Sequence, residues 1–136
     1  MYEYQISRVL DVFDGYSFEG IIDLGMGVYL KKVIYLSGIC SPSINNEEQK
    51  DYGIQARNKL KYYLRNATRG EVTICVDDYH DDTVYGVVYN KDFDDSINWI
   101  MFLKGYVWDD GISRPRLADQ PMKLFVLNTP KDKLFK

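Results

Sequence analysis

Thiol and imidazole side chains, the usual nucleophile and base, are few and scattered in this chain. Its thiols are Cys40 and Cys75, and its one imidazole is His80. A cysteine nucleophile needs a base within hydrogen-bond reach and an oxyanion donor, and nothing in the spacing brings His80 to Cys40. The three also lack the close paired ligand spacing of a zinc site, so no metal is assigned to them. Two buried cysteines outside any disulfide framework are the plainer reading. Carboxylates are plentiful instead. Asp11, Asp14, Glu47 and Glu48 lie near two turns, where Asp11 or Asp14 would attract a cation only weakly. Asp77, Asp78, Asp81, Asp82, Asp92, Asp94 and Asp95 crowd one hairpin and its exit, with Lys91 opposing them. That run reads first as a solvated turn and a helix N-terminus that favours acids. Its sharper reading is a negative surface that repels phosphate and suits a basic protein partner. Lys59, Lys61, Arg65 and Arg69 read as a solvated helix face.

The elements that must position these groups follow from periodicity and turn chemistry. The chain has 136 residues, 46% of them hydrophobic and 15% aromatic with 12 Tyr, enough for one globular core rich in strand formers. "YQISRVLDVF" alternates imperfectly, Asp14-Gly15 turns, and "YSFEGIIDLG" continues, which predicts a hairpin. After Gly25 and Gly27, "VYLKKVIYLSGI" is the third strand of a meander. The period then changes: between Glu47 and Thr68, Ile54, Leu60, Tyr63, Leu64 and Ala67 fall on one helical face, with Gly70 as the stop. "EVTICVDD" and "TVYGVVYN" form a second hairpin. A second helix follows, capped by Asp94, Asp95 or Ser96, with Ile97, Ile100, Met101 and Leu103 facing inward and Gly105 at its end. The order βββαββα predicts an α+β, mainly β, fold: a five-stranded OB-type barrel with two to three helices. It occupies residues 1–111, and residues 112–136 form a basic, partly packed tail. No run is long and apolar enough to span a bilayer, and the N-terminus is no signal peptide, so a cytoplasmic location is expected.

One corner has the outline of an active site without its charges. "YLSGICSPS", residues 35–43, runs from an alternating strand into a glycine, an apolar residue and a proline-bearing turn. Together with Asp14-Gly15-Tyr16-Ser17, "IIDLGMGVYLKK", Tyr52-Gly53-Ile54-Gln55-Ala56, "TVYGVVYN" and "SINWIMFLKGYVWDDG", it resembles the staphylococcal-nuclease-like (thermonuclease) family over residues 4–111. The wording "DLGMGVYLKK" is similar to members encoded by bacteriophages. The resemblance implies an OB barrel whose active members cleave DNA and RNA phosphodiesters with a calcium ion. In them carboxylates hold the cation, a glutamate activates water, and two arginines grip the phosphate.

Carried over residue by residue, that machinery is missing. The family's second aspartate of the first turn falls on Tyr16, a poor calcium ligand. The phosphate-gripping arginine of the third strand falls on Tyr35, a single neutral donor. The metal-binding aspartate falls on Cys40, the water-activating glutamate on Ser43, and the second arginine on Thr83. Asp14 persists, with Gly15, Gly38, Ile39, Pro42, Gly53, Ala56, Gly86, Asn98, Gly105 and Tyr106, which are turn formers and packing residues.

The resemblance therefore implies a pseudo-nuclease: not an enzyme, with no catalytic residue, no metal and no cofactor. The net charge of −3 gives no global footprint for nucleic acid. The function expected is a binding or modulator protein, a phage accessory protein docking on a host or viral protein through Tyr16, Tyr35, Tyr85, Asp81 and Asp82. The alternative is a nucleic-acid-binding protein, or a metal-dependent nuclease with a rearranged site, whose nucleic-acid contact would be weak.

Overall fold

The computed structural model describes residues 2–45 and 47–109. The tail expected over 112–136 lies outside the described residues. Strands β1 (Tyr2–Val12), β2 (Ser17–Gly25) and β3 (Val28–Leu36) form the expected meander, and β4 (Ile39–Cys40) is a two-residue strand just beyond it. Helix α1 (Lys50–Tyr63) and a 3-10 turn (Ala67–Arg69) lead to the hairpin β5 (Val72–Tyr79) and β6 (Thr83–Asn90). Helix α2 (Ile97–Leu103) and β7 (Trp108–Asp109) follow.

The long strands close into a barrel in the order β1-β2-β3-β6-β5. Every neighbour in it is antiparallel except β3 and β6, which run parallel from Val33↔Thr83 to Leu36↔Gly86. Closure matters physically because it leaves no long strand with an unpaired edge. This is the α+β, OB-type barrel and the βββαββα order expected from the sequence. The pairing of β4 with β7 is an addition: Ile39↔Asp109 and Cys40↔Trp108 tie the corner to the end of the described chain.

The imperfect alternation of β1 has a cause. Its register with β2 slips between Ile6 and Arg8 and again between Val9 and Asp11, so side chains change face twice within one strand. Inward positions of the barrel, including Ile6, Phe18, Ile34, Ile74 and Val88, are fully buried and meet Ala56 and Leu60 of α1. From α2 the core takes Ile97, Met101 and Phe102, whereas Leu103 is 41% exposed, which corrects its expected inward role. A helix shorter than two full turns presents only a narrow face, and Asn98 rather than Leu103 completes it.

Helix α1 starts at Lys50 and ends at Tyr63, shorter than the Glu47–Thr68 segment that the pattern suggested. It stops because Asn66 turns left-handed at φ 64°, and Gly70, the expected stop, ends the 3-10 turn instead at φ 78°. Asn90 holds this exit: its Nδ2 donates to the carbonyls of Tyr63 at 2.9 Å and Arg65 at 2.8 Å. Ser96, one of the three caps proposed for α2, is the one used, its Oγ accepting from Trp99 N at 3.1 Å.

Candidate functional site

The corner is built on an aspartate that has a structural task. Asp14 Oδ1 accepts from Tyr16 N at 2.9 Å and from Ser17 Oγ at 2.8 Å, so it closes the β1–β2 turn on itself. Gly15 N donates to Ser41 Oγ at 3.1 Å. A Cβ on Gly15 would lie 2.6 Å from Ala56 Cβ and 2.8 Å from Ser41 Cβ. A Cβ on Gly53 would likewise come within 2.8 Å of Pro42 O. Two glycines thus let α1, the first turn and the Ser41-Pro42 segment approach one another, which accounts for their presence on packing grounds alone.

On the outer face of the barrel the structure brings together three tyrosines from three strands or their ends. Tyr16 and Tyr35 have ring centroids 5.6 Å apart at 53°, and Tyr35 stacks on Tyr85 at 5.2 Å and 16°. His80 extends the row, edge-on to Tyr85 at 6.0 Å. The register explains the row: Ser17 pairs with Tyr35, Tyr35 pairs with Tyr85, and Leu36 N donates to Tyr16 O at 2.7 Å. Tyr16 and Tyr35 are half-buried, and Tyr85 is 36% exposed, so the ladder presents its Tyr85 end to solvent.

The Tyr16 phenol is pushed up to about 12, first by burial and then by the negative charges that Cys40, Asp14, Tyr35 and Tyr85 carry when ionised. It is a neutral hydrogen-bonding group at physiological pH. Cys40 thus lies at the Tyr16 end of the row and His80 at the Tyr85 end, so the ladder stands between the imidazole and this thiol. Neither Cys40 nor Cys75 is in a disulfide, and both are half-buried rather than fully buried as expected.

The other predicted positions lie apart from the rings. Ser43 is exposed and serves its own loop: its N donates to Gln49 Oε1 at 3.2 Å and its Oγ accepts from Asn45 N at 3.2 Å. Thr83 pairs with Val33, one step of two residues before the Tyr35↔Tyr85 pair, and its carbonyl accepts from His80 N at 2.8 Å. It therefore shares the outer face with Tyr85 by strand parity. Asp81 and Asp82 are exposed at the β5–β6 turn, where Asp82 O accepts from Val33 N at 3.0 Å.

Two acidic residues of the hairpin region are less isolated than their sequence context implied. Asp92 pairs with Arg65 Nε at 3.2 Å, and Asp78 lies 3.4 Å from His80 Nε2. Arg65, expected on a merely solvated helix face, also stacks over Tyr62 at 4.6 Å and Phe93 at 5.1 Å. Asn98, which the sequence marked only as a packing residue, is a buried hydrogen-bonding bracket beside the ladder. Asn98, 1% exposed, accepts from Val88 N at 3.0 Å and donates to Ser37 O at 2.9 Å and Gly86 O at 3.2 Å. An asparagine in the second position of an otherwise apolar helix was the available signal.

Among the described residues no helix is long and apolar enough to cross a membrane. No protein-family model matches the chain, and no curated protein matches it in sequence.

Proposed function

We propose that this chain is a catalytically inactive, staphylococcal-nuclease-like barrel that works as a binding module, docking on a protein through its tyrosine ladder and the acidic β5–β6 hairpin beside it. One observation carries the reading: Tyr16 and Tyr35, two positions where the resembled family needs charge, join Tyr85 in a contacting row of rings on the outer face. Tyrosines bury much area at low entropic cost and keep a hydroxyl for the partner, which is why they concentrate in interfaces. The same replacement removes what phosphodiester cleavage needs. A phenol pushed up to about 12 cannot hold calcium as a carboxylate does, and a neutral ring cannot carry the charge that develops on phosphate. The exposed aspartates nearby favour a basic partner surface and disfavour a polyanion. In a phage setting this would be an accessory protein acting inside the host cell on a host or viral protein.

Cross-linking capture from lysate names a partner, and affinity measurements then test the surface. Tyr16→Ala with Tyr35→Ala, and separately Asp81→Lys with Asp82→Lys, should each weaken binding while the far-ultraviolet circular dichroism stays native. Unchanged affinity in both variants moves the interface elsewhere. Salt-sensitive binding to single-stranded nucleic acid as tight as the protein contact would favour base stacking on the rings instead.

A further inference from the structure

The barrel is open at the end where the β2–β3 turn faces the β5–β6 hairpin. The cleft there measures about 770 Å³, and its apolar walls are Ile22, Leu24, Leu30, Val76 and Val84. Sites for small ligands fall at about 300–1,000 Å³ and combine apolar walls with a few placed polar groups. The walls run from the core outward: Ile22 is 3% exposed and Val84 5%, whereas Leu24 and Leu30 are each 39% exposed at the rim.

One cation enters this cleft from an inward position. Leu30, Lys32 and Ile34 share a face of β3, and Ile34 is fully buried, so Lys32 points the way a core residue would. Its Nζ donates to the main-chain carbonyl of Asp81. Among the described residues it forms no ion pair with a carboxylate; those present join Arg65 to Asp92 and His80 to Asp78. An ammonium has three donors, and one at the mouth of an apolar cleft gains from an anion that completes its shell.

The hairpin aspartates work against an anion, and magnitudes decide between them. Asp77, Asp78, Asp81 and Asp82 are all exposed, and only Asp81 lines the cleft. Exposed charges more than about 8 Å away are largely screened at physiological salt, and the exposed Asp81 carboxylate acts mainly through water of high dielectric constant. A carboxylate on Lys32 Nζ is in direct contact, at the edge of an apolar wall where the effective dielectric constant is lower. The direct contact wins.

We propose that this open barrel end binds a medium-chain alkyl carboxylate, its chain along Leu24, Leu30, Val76 and Val84 and its head group on Lys32 Nζ. The site is separate from the tyrosine ladder and does not depend on its reading. Calorimetric titration of the full chain with decanoate, decanol and decylammonium tests it. Decanoate should bind one to one, with the alcohol and the ammonium at least about tenfold weaker, as loss of a charge-assisted hydrogen bond implies. Lys32→Met should bring decanoate down to the level of decanol, Lys32→Arg should retain it, and Tyr16→Ala should leave it unchanged. Decylammonium binding as tightly as decanoate overturns the proposal, as does undiminished decanoate binding to a folded Lys32→Met variant or no saturable decanoate binding at all. The ligand series on the unaltered chain decides the matter even where Lys32→Met fails to fold.

Discussion

Tyr35 and Tyr85 stack nearly parallel, centroids 5.2 Å and planes 16° apart, across the one parallel strand pair of the barrel. That pair closes the barrel between the meander and the second hairpin, so the stacked rings fasten its seam from outside. Such a contact contributes about 0.5–1.5 kcal/mol beyond area burial. A double-mutant cycle of Tyr35→Ala and Tyr85→Ala, read by urea unfolding, should give a coupling energy in that range. Tyr35→Ala should cost more than Tyr85→Ala, because Tyr35 sits between two tyrosine rings and is the more buried of the pair. A coupling near zero would reduce the ladder to coincidental neighbours.

The barrel was legible because closure needs what the sequence displays: alternation, turn glycines at Gly25 and Gly27, and one change of period between the meander and β5. What escaped was set by distant partners. No local signal foretells that β7 pairs with β4, or that Asn98 reaches Ser37 sixty-one residues away. The ladder was half legible. Tyr16, Tyr35 and Tyr85 were singled out together, but their contact depends on the parallel register of β3 with β6, which periodicity does not specify. The inward direction of Lys32 appears only once Ile34 is known to be core.

Titration of Tyr16 provides the second test. Its pKa in the folded chain is about 12, above the ordinary 10, because burial penalises the phenolate. The folded state therefore holds a proton that the unfolded state releases between these values. The stability linked to Tyr16 is fully present below pH 10 and is lost as pH rises through about 12. Ultraviolet difference titration of Tyr16→Phe should leave the ionisation near 10 as in wild type and lack the Tyr16 step near 12. The variant's stability should also fall less steeply than wild type between pH 10 and 12.

Gly15 makes a third case, where geometry fixes both the damage and its repair. A side-chain carbon there would sit 2.6 Å from Ala56 Cβ. Gly15→Ala should destabilise the fold by about 1–3 kcal/mol as an overpacking substitution. Ala56→Gly alone should cost about 1 kcal/mol as a helix-interior glycine. The double variant should be more stable than the sum of the two predicts, since Ala56→Gly removes one of the two clashing carbons. Simple additivity in thermal or urea denaturation would show that Ser41, 2.8 Å away, carries the whole clash.

Asn98 carries more hydrogen bonds than any other buried side chain of the corner, and its loss should show it. Asn98→Ala leaves the Val88 amide and the Ser37 carbonyl without that partner in the interior. Each stranded group costs about 1–3 kcal/mol, so a loss of roughly 3 kcal/mol or more is expected in chemical denaturation. Asn98→Asp keeps the acceptor for Val88 but loses the donor for Ser37 and Gly86 and buries a charge, so it should be no milder. Hydrogen exchange at Val88 should accelerate in Asn98→Ala and much less in Tyr85→Ala.

Restoring charge to the corner tests the inactive-nuclease reading itself. The unaltered protein, freed of contaminating nuclease, should leave DNA and RNA uncut with calcium, magnesium or manganese, because among the described residues no group of three or more metal-ligating side chains is assembled and neutral tyrosine rings stand where the resembled family needs charge. The combined variant Tyr16→Asp, Tyr35→Arg, Cys40→Asp, Ser43→Glu and Thr83→Arg should still fold: none of the five positions is fully buried, so each new charge can reach water. An arginine at position 35 would lie against the Tyr85 ring, a contact that favours a guanidinium. Calorimetry should then detect calcium binding absent from the unaltered chain, since Asp14 would gain two carboxylate neighbours in place of Tyr16 and Cys40, whose ionised forms already act on one another. Cleavage is not required of the variant, because the shell that orients catalytic groups must also be present. Time-dependent cleavage by the unaltered chain that disappears in Asp14→Ala would overturn the reading, and outright unfolding of the combined variant would mean that the tyrosine ladder is a structural plug that the barrel cannot lose.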